Sequence, residues 1–403
     1  DRSVSRGLGD VYKRQVQSDT IITERKQIGG ICMADIFDYI SWRGDLTFEQ
    51  DGFNELDALV LSRLSYLPFD GAVSSCLFDE ITLEQAAMRV FATDDYEKNL
   101  LWKGDADLLK ATAESKRFGK ILVSGYVNEV ESDVSMQFSA ITFEFLKKNY
   151  FISYRGTDFS LVGWQEDFNM FFTFPLPSQK KALDYFEKAV RMLNGKFILG
   201  GHSKGGNLAV YAGAFTDENS RNHIDYIYNF DGPGFSLDKI RDSGFYEVDD
   251  RIYTFVPQSS IFGMMFEHEE SYTIVKSNQK GFLQHDVYSW EIELNRLVRL
   301  KSTTNFSVFF DHTLKEFVES LTIAQRREFT KEVFALLSLT ETATFNEMLK
   351  NPLKNTGTIL KSFAGLDSKT RNMLLKTIFA FVKSAKNNFS DITGGQKSIE
   401  ITT

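Results

Sequence analysis

The sequence predicts an α/β fold built on a mostly parallel central sheet, with an N-terminal helical module before it and a C-terminal helical extension after it. Three observations carry that expectation. Between residues 118 and 295, short apolar runs alternate with segments of three-and-four spacing, the order that builds parallel βαβ units covered on both faces. One of the apolar runs passes through Gly201-His202-Ser203-Lys204-Gly205 directly into a helical pattern. The 403 residues are 42% hydrophobic and 25% charged, an ordinary globular composition with enough chain to bury a sizeable core.

In chain order, residues 1–32 read as a non-native, disordered leader: Asp1 to Gln15 is polar and basic like a translated adapter, and the native chain is expected to open at Met33. Residues 33–117 form the helical module, with Leu56, Leu59, Val60 and Leu64 on one helix face and Leu83, Ala86, Ala87 and Val90 on another. The α/β core spans 118–295. Its strands are expected at Ile121–Val127, Met136–Phe145, Tyr150–Tyr154, Phe197–Leu199, Tyr226–Phe230 and Ile252–Val256, with helices over 178–193 and Leu208–Ala214. Residues 296–390 are helical over 313–339, 343–350 and 367–386, the last capped by Asp367, and 391–403 read as a flexible tail.

Composition also narrows function. Fifty-five acidic against 46 basic residues give a net charge of −9 with no basic run, which argues against nucleic acid and anionic membrane surfaces as partners. No stretch reaches the length of a transmembrane helix. Cys32 and Cys76 match neither a disulfide framework nor a metal motif, so a reducing, cytoplasmic setting is expected. The histidines are too scattered for a metal site, and no cofactor is expected.

The chemistry lies in Gly201-x-Ser203-x-Gly205. The string alone is a weak signal, but a strand before it, a helix after it and an extra glycine at 206 make it specific. A nucleophile elbow of this kind needs small residues at both glycines, because the serine occupies a strained strand-to-helix turn. The turn lifts the Ser203 hydroxyl off the sheet and aims the first helical N–H groups at a developing oxyanion.

A second motif, Tyr150-Phe151-Ile152-Ser153-Tyr154-Arg155-Gly156-Thr157 followed by Gly163-Trp164-Gln165-Glu166-Asp167, stands about 45 residues upstream. With both motifs in order, the chain resembles the α/β-hydrolase superfamily, within it the class 3 (fungal-type) lipases, and more narrowly a bacterial lipase-like family of uncharacterised function. The likeness covers about residues 118–290. It implies that the backbone N–H groups of Thr157 and Lys204 form the oxyanion hole. Arg155 reads as structural, with Asp167 as its candidate partner, and Trp164 as a core residue. Lys204 departs from the neutral residue common at its position, and pairing with a surface acid is its simplest use.

The hydrolase order Ser…Asp/Glu…His asks for a base downstream. His285, in the loop before Trp290, is the preferred candidate, with His268 and His312 as alternatives; His202 reads as packing and His223 lies at the wrong end of its strand. The acid departs from the class 3 pattern, since Pro257-Gln258-Ser259-Ser260 carries no carboxylate where that resemblance expects one. Asp231, at the end of the preceding strand, is the preferred acid, as in vertebrate pancreatic-type lipases; Asp286 is the other candidate. The Met-rich run Ile261–Phe266 lines an acyl pocket, forms part of a lid, or is a buried turn.

The expected function is therefore hydrolysis of carboxylic esters, hydrophobic acyl or lipid esters by resemblance, through an acyl-enzyme on Ser203, with transient lipid-interface contact left open. An acyltransferase shares the same triad. The competing class is a hydrolase-fold interaction protein without turnover, and the two separate on whether Asp231, His285 and Ser203 form a hydrogen-bonded chain at about 2.6–3.2 Å, somewhat looser without ligand.

Overall fold

Five parallel strands form the middle of the sheet in the computed structural model, which describes residues 34–102, 104–158, 160–241, 243–339 and 352–389. They are β4 (Asn149–Tyr154), β5 (Lys196–His202), β6 (Ile224–Phe230), β7 (Ile252–Pro257) and β8 (Tyr272–Val275), adjacent in chain order. An antiparallel meander of β2 (Leu122–Glu131), β3 (Met136–Leu146) and β4 extends one side, and β1 (Ile81–Thr82) pairs antiparallel at its edge. A small hairpin of β9 (Ile292–Glu293) and β10 (Arg296–Leu297) precedes β11 (Arg299–Leu300), which closes the other side antiparallel to β8. The architecture is the α/β-hydrolase fold. The expected leader 1–32, tail 391–403 and helix 343–350 lie outside the described residues.

Alternation along β5 explains how the sheet is covered. Phe197 and Leu199 join the buried cluster of helices α6 (Pro177–Leu193) and α7 (Lys204–Phe215), which contribute Ala182, Phe186, Leu208 and Ala212. Their neighbour Gly200 faces the other way, where an added Cβ would lie 3.4 Å from Ser62 Oγ of α2 (Glu55–Leu64). Successive residues of a strand point to opposite faces, so α2 and the α6–α7 pair sandwich the sheet. Of the N-terminal helices, α2 and α3 (Leu83–Phe91) pack on strands, while α1 (Ile36–Arg43) packs on α2 and α4, and α4 (Gly104–Glu114) on α1, α2 and α3. A buried ion pair stitches them down: Arg117 Nε donates to Asp57 Oδ1 at 2.6 Å and Nη2 to Oδ2 at 2.5 Å.

Beyond the sheet, the pattern expected as one helix over 313–339 is two. α8 (Asn305–Glu319) ends at Ser320, and α9 (Ile323–Ser338) begins after Thr322. Thr322 and Gln325 form a capping box, which satisfies backbone groups at the break and makes a new start cheaper than continuation. α10 (Pro352–Gly365) and α11 (Ser368–Asn387, capped by Asp367) follow. α9 packs on α5 (Leu161–Asn169), with Phe334 edge-on to Phe168 at 5.6 Å, while α11 packs on α8. No helix among the described residues is long and apolar enough to cross a membrane.

Candidate active site

Ser203 occupies the turn between β5 and α7 with φ 59° and ψ −134°, a conformation that L-residues adopt only under constraint. The constraint is visible. Ser203 N–H donates to the Phe230 carbonyl at 2.8 Å, and its own carbonyl accepts from Gly206 N–H at 2.9 Å. A Cβ on Gly201 would fall 2.4 Å from the Gly205 carbonyl carbon, and one on Gly205 would fall 2.0 Å from the Tyr154 oxygen. The turn therefore closes only with glycine at both positions.

Asp231 follows β6 at the same end of the sheet, fully buried. Its Oδ2 accepts from His285 Nδ1 at 2.6 Å, and its Oδ1 accepts from Gly263 N–H at 3.1 Å and from the Ser260 hydroxyl. Ser260 thus stands where class 3 resemblance expects a carboxylate, and it supports the carboxylate one strand earlier. Since a carboxylate only accepts, Nδ1 of His285 carries the proton, which leaves Nε2 with a free lone pair in the neutral ring; the hydrogen-bonded chain runs from Asp231 to His285, and no hydrogen bond among the described residues carries it on to Ser203 Oγ. The His285 ring lies between those of His202 and Phe262, each centroid 4.4 Å away.

His202 is more than packing. Its Nε2 donates to the His285 carbonyl at 2.8 Å, so Nδ1 accepts from Tyr66 Oη at 3.0 Å. Burial, with the neighbouring His285 and Arg63, holds its pKa well below the usual histidine range, which keeps this tautomer neutral. The ring next to Ser203 in sequence therefore anchors the backbone of His285. Sequence reasoning missed this link, as it missed Tyr66.

The other candidates fall elsewhere. His268 is bracketed by two acceptors, Glu270 Oε1 at 2.8 Å and the Gly263 carbonyl at 2.6 Å. Burial is the largest influence and lowers its pKa, but the Glu270 hydrogen bond and charge, with the Gly263 carbonyl and the Asp231 charge, together hold it above the ordinary value. Asp286 accepts from Tyr288 N–H at 3.1 Å as a helix cap, and burial raises its pKa. His223 is held by the Gly195 carbonyl before β5, and His312 lies on α8.

The β4–α5 loop lies against Ser203: a Cβ on Gly156 would be 3.0 Å from Ser203 Cβ. Thr157 comes next, its hydroxyl donating to both Asp167 oxygens at 2.8 and 2.7 Å. Burial pushes the Asp167 carboxyl up to about 6 against the pull of Lys204 and Thr157. Arg155 pairs not with Asp167 but with Asp158 at 3.3 Å, and also donates to Asn128. Asp167 is committed to Thr157, and Asp158 is the closer carboxylate on the loop. Lys204 is the first residue of α7, where backbone N–H groups lack intrahelical partners. Its side chain does not reach a surface acid. It runs inward to Glu166 Oε2 at 2.7 Å and to Gln137 O at 2.9 Å, with both charged side chains essentially unexposed. Glu166 also accepts from Ser178 N–H and Gln137 N–H.

A cavity of about 170 Å³ opens beside Ser203, walled by Trp164, Phe168, Phe171, Phe262, Met265 and Leu314. Trp164 is thus cavity wall rather than core, and the Ile261–Phe266 run supplies two wall residues from a single tight turn. A wider groove of about 1190 Å³ lies elsewhere, along α3, α4 and the β3 end. Among the described residues no group of three or more His, Cys, Asp or Glu side chains is arranged to hold a metal ion.

The model of the Mbeg1-like family matches residues 112–335, more than half of the chain. Among solved structures the chain is similar to M37 lipase, at 16% identity over 53% of this chain and 70% of that one, with a TM-score of 0.34. It is also similar to lipase II from Rhizopus niveus, at 17% identity over 55% of this chain and 82% of that one, with a TM-score of 0.30. No curated protein matches it.

Proposed function

The chain belongs to the Mbeg1-like family, and we propose that it is a serine hydrolase of carboxylic esters, acting through an acyl-enzyme on Ser203. The observation that carries this reading is the 2.6 Å hydrogen bond from His285 Nδ1 to buried Asp231, beside a cavity that has Ser203 in its wall. Two acceptor bonds on the second Asp231 oxygen keep that carboxylate from turning away.

In this reading Ser203 Oγ attacks the ester carbonyl carbon while His285 Nε2 takes the hydroxyl proton. The oxyanion that forms is held by the backbone N–H groups of Thr157 and Lys204, donors that are each worth about 2.7–4 kcal/mol of barrier in comparable sites. His285 returns the proton to the departing alkoxide, and the alcohol leaves. Water then attacks the acyl-enzyme, giving its proton to His285, and collapse of the second intermediate releases the acid and restores Ser203. Asp231 orients the imidazole and stabilises its charged form throughout. The apolar wall favours a hydrophobic acyl group.

Hydrolysis of p-nitrophenyl esters by the full chain and by Ser203→Ala tests the proposal. Turnover lost in the variant with its fold intact supports it; equal turnover in both, or none in the wild type over a range of acyl lengths, contradicts it.

A further inference from the structure

One helix contrasts with the rest of the chain in charge. α11 carries Lys369, Arg371, Lys376, Lys383 and Lys386 and no acidic residue between Ser368 and Asn387, in a protein whose net charge is −9. Its inner side is committed: Leu374, Thr377 and Ser384 are buried, Phe381 meets Phe317 of α8 edge-on at 5.3 Å, and Asn387 and Asn388 donate to Glu316. Its outer side presents Leu375, Ile378, Phe379 and Val382, spaced at i, i+3, i+4 and i+7 and 49, 50, 70 and 56% exposed. Lys376, Lys383 and Lys386 are exposed alongside this stripe.

We propose that α11 docks the protein on an anionic lipid surface, its apolar stripe entering the boundary between headgroups and acyl chains while the lysines pair with phosphate headgroups. A large phenyl group at the centre of an apolar stripe, flanked by cations and free of anions, matches the chemistry of such a boundary. Lysine stems lie along the apolar surface and lift their ammonium groups to the headgroups. The net charge of −9 argues against such a surface for the chain as a whole, but charges more than about 8 Å from the surface are screened at physiological salt, so the local charge of α11 decides. A second copy of the chain is the poorer occupant, since a two-fold pairing of this face would set lysines against lysines. α8 lies between α11 and the candidate site, presenting Phe317 to α11 and Leu314 to the cavity beside Ser203. The inference stands whether or not Ser203 hydrolyses esters.

The test is sedimentation of the full chain with vesicles of phosphatidylcholine alone and with about 30% phosphatidylglycerol, for the wild type, Phe379→Ser/Val382→Ser, Lys376→Glu/Lys383→Glu and the control Phe379→Leu. Binding to anionic vesicles at least about tenfold tighter than to neutral ones, weakened by salt, is expected. Both double variants lose about tenfold or more of it with unchanged melting, and Phe379→Leu keeps it. Equal binding to neutral vesicles, no binding, or double variants that bind like the wild type overturns the proposal. So does a wild-type dimer in sedimentation velocity that Phe379→Ser/Val382→Ser dissociates, since a second copy would then own the stripe.

Discussion

Lys204 and Glu166 form an ion pair at 2.7 Å directly beneath the turn that carries Ser203, with neither side chain in contact with solvent. The pair ties α7 to α5, and so ties Ser203 to the helix that follows the Thr157 loop. Removing one partner of such a pair leaves a buried uncompensated charge and costs about 3–5 kcal/mol. Glu166→Ala is therefore expected to lower unfolding stability by that amount in urea titrations, since Gln137 and Ser178 N–H groups lose their acceptor as well. A loss below about 1 kcal/mol would mean that Lys204 finds water instead.

Asp231→Asn keeps the shape of the carboxylate but replaces one acceptor oxygen with a donor. The amide favours the wrong imidazole tautomer, and in triads of this type the change lowers kcat by about 10⁴. The expected outcome is that loss in an ester assay with an unchanged circular dichroism spectrum. An activity within about tenfold of wild type would remove Asp231 from the reaction.

Most central strands, the elbow turn and the strand-end place of Asp231 were legible because each rests on local sequence. Short apolar runs mark β4 and β6, two glycines flank Ser203, and Asp231 ends a strand while Pro257-Gln258-Ser259-Ser260 after the next strand carries no carboxylate. What was not legible depends on distance along the chain. Lys204 and Glu166 lie 38 residues apart, and a lysine read alone looks like surface. His202 and Tyr66 are 136 apart, so the anchoring of His285 through His202 has no local signal. β8 is too short at four residues for its alternation to stand out. The break before α9 was readable, since Thr322-x-x-Gln325 is a capping box, but continuous helical spacing outweighed it.

His268 and Glu270 predict a pH window. His268 is held above the ordinary histidine pKa, so its contribution to stability is complete below about 6.5 and is lost as pH rises through the raised value. The Glu270 pKa is lowered; burial opposes this, but the His268 hydrogen bond and charge outweigh it, so its contribution is lost as pH falls. Unfolding midpoints of the wild type and His268→Gln are expected to differ most near neutral to mildly acid pH and to converge as the solution becomes alkaline. A constant difference across that range would show that the proton on His268 does not stabilise the fold.

The cavity beside Ser203 sets a limit on acyl length. At about 170 Å³ it is close to the engineered apolar cavity of roughly 150 Å³ that takes up benzene, a six-carbon guest. Rates with p-nitrophenyl esters are therefore expected to peak at about four to eight acyl carbons. Leu314→Ala, which removes part of the wall, should move the peak to longer chains. A flat profile, or an optimum at acetate, would place the acyl group outside this cavity.

Ester hydrolysis at this site requires an activated Ser203, which labelling with a fluorophosphonate probe measures most directly. The wild type is expected to gain one covalent adduct on the peptide containing Ser203, absent in Ser203→Ala and sharply slowed in His285→Ala. A folded wild type that takes no label, or one that labels equally in all three proteins, would contradict ester hydrolysis at Ser203.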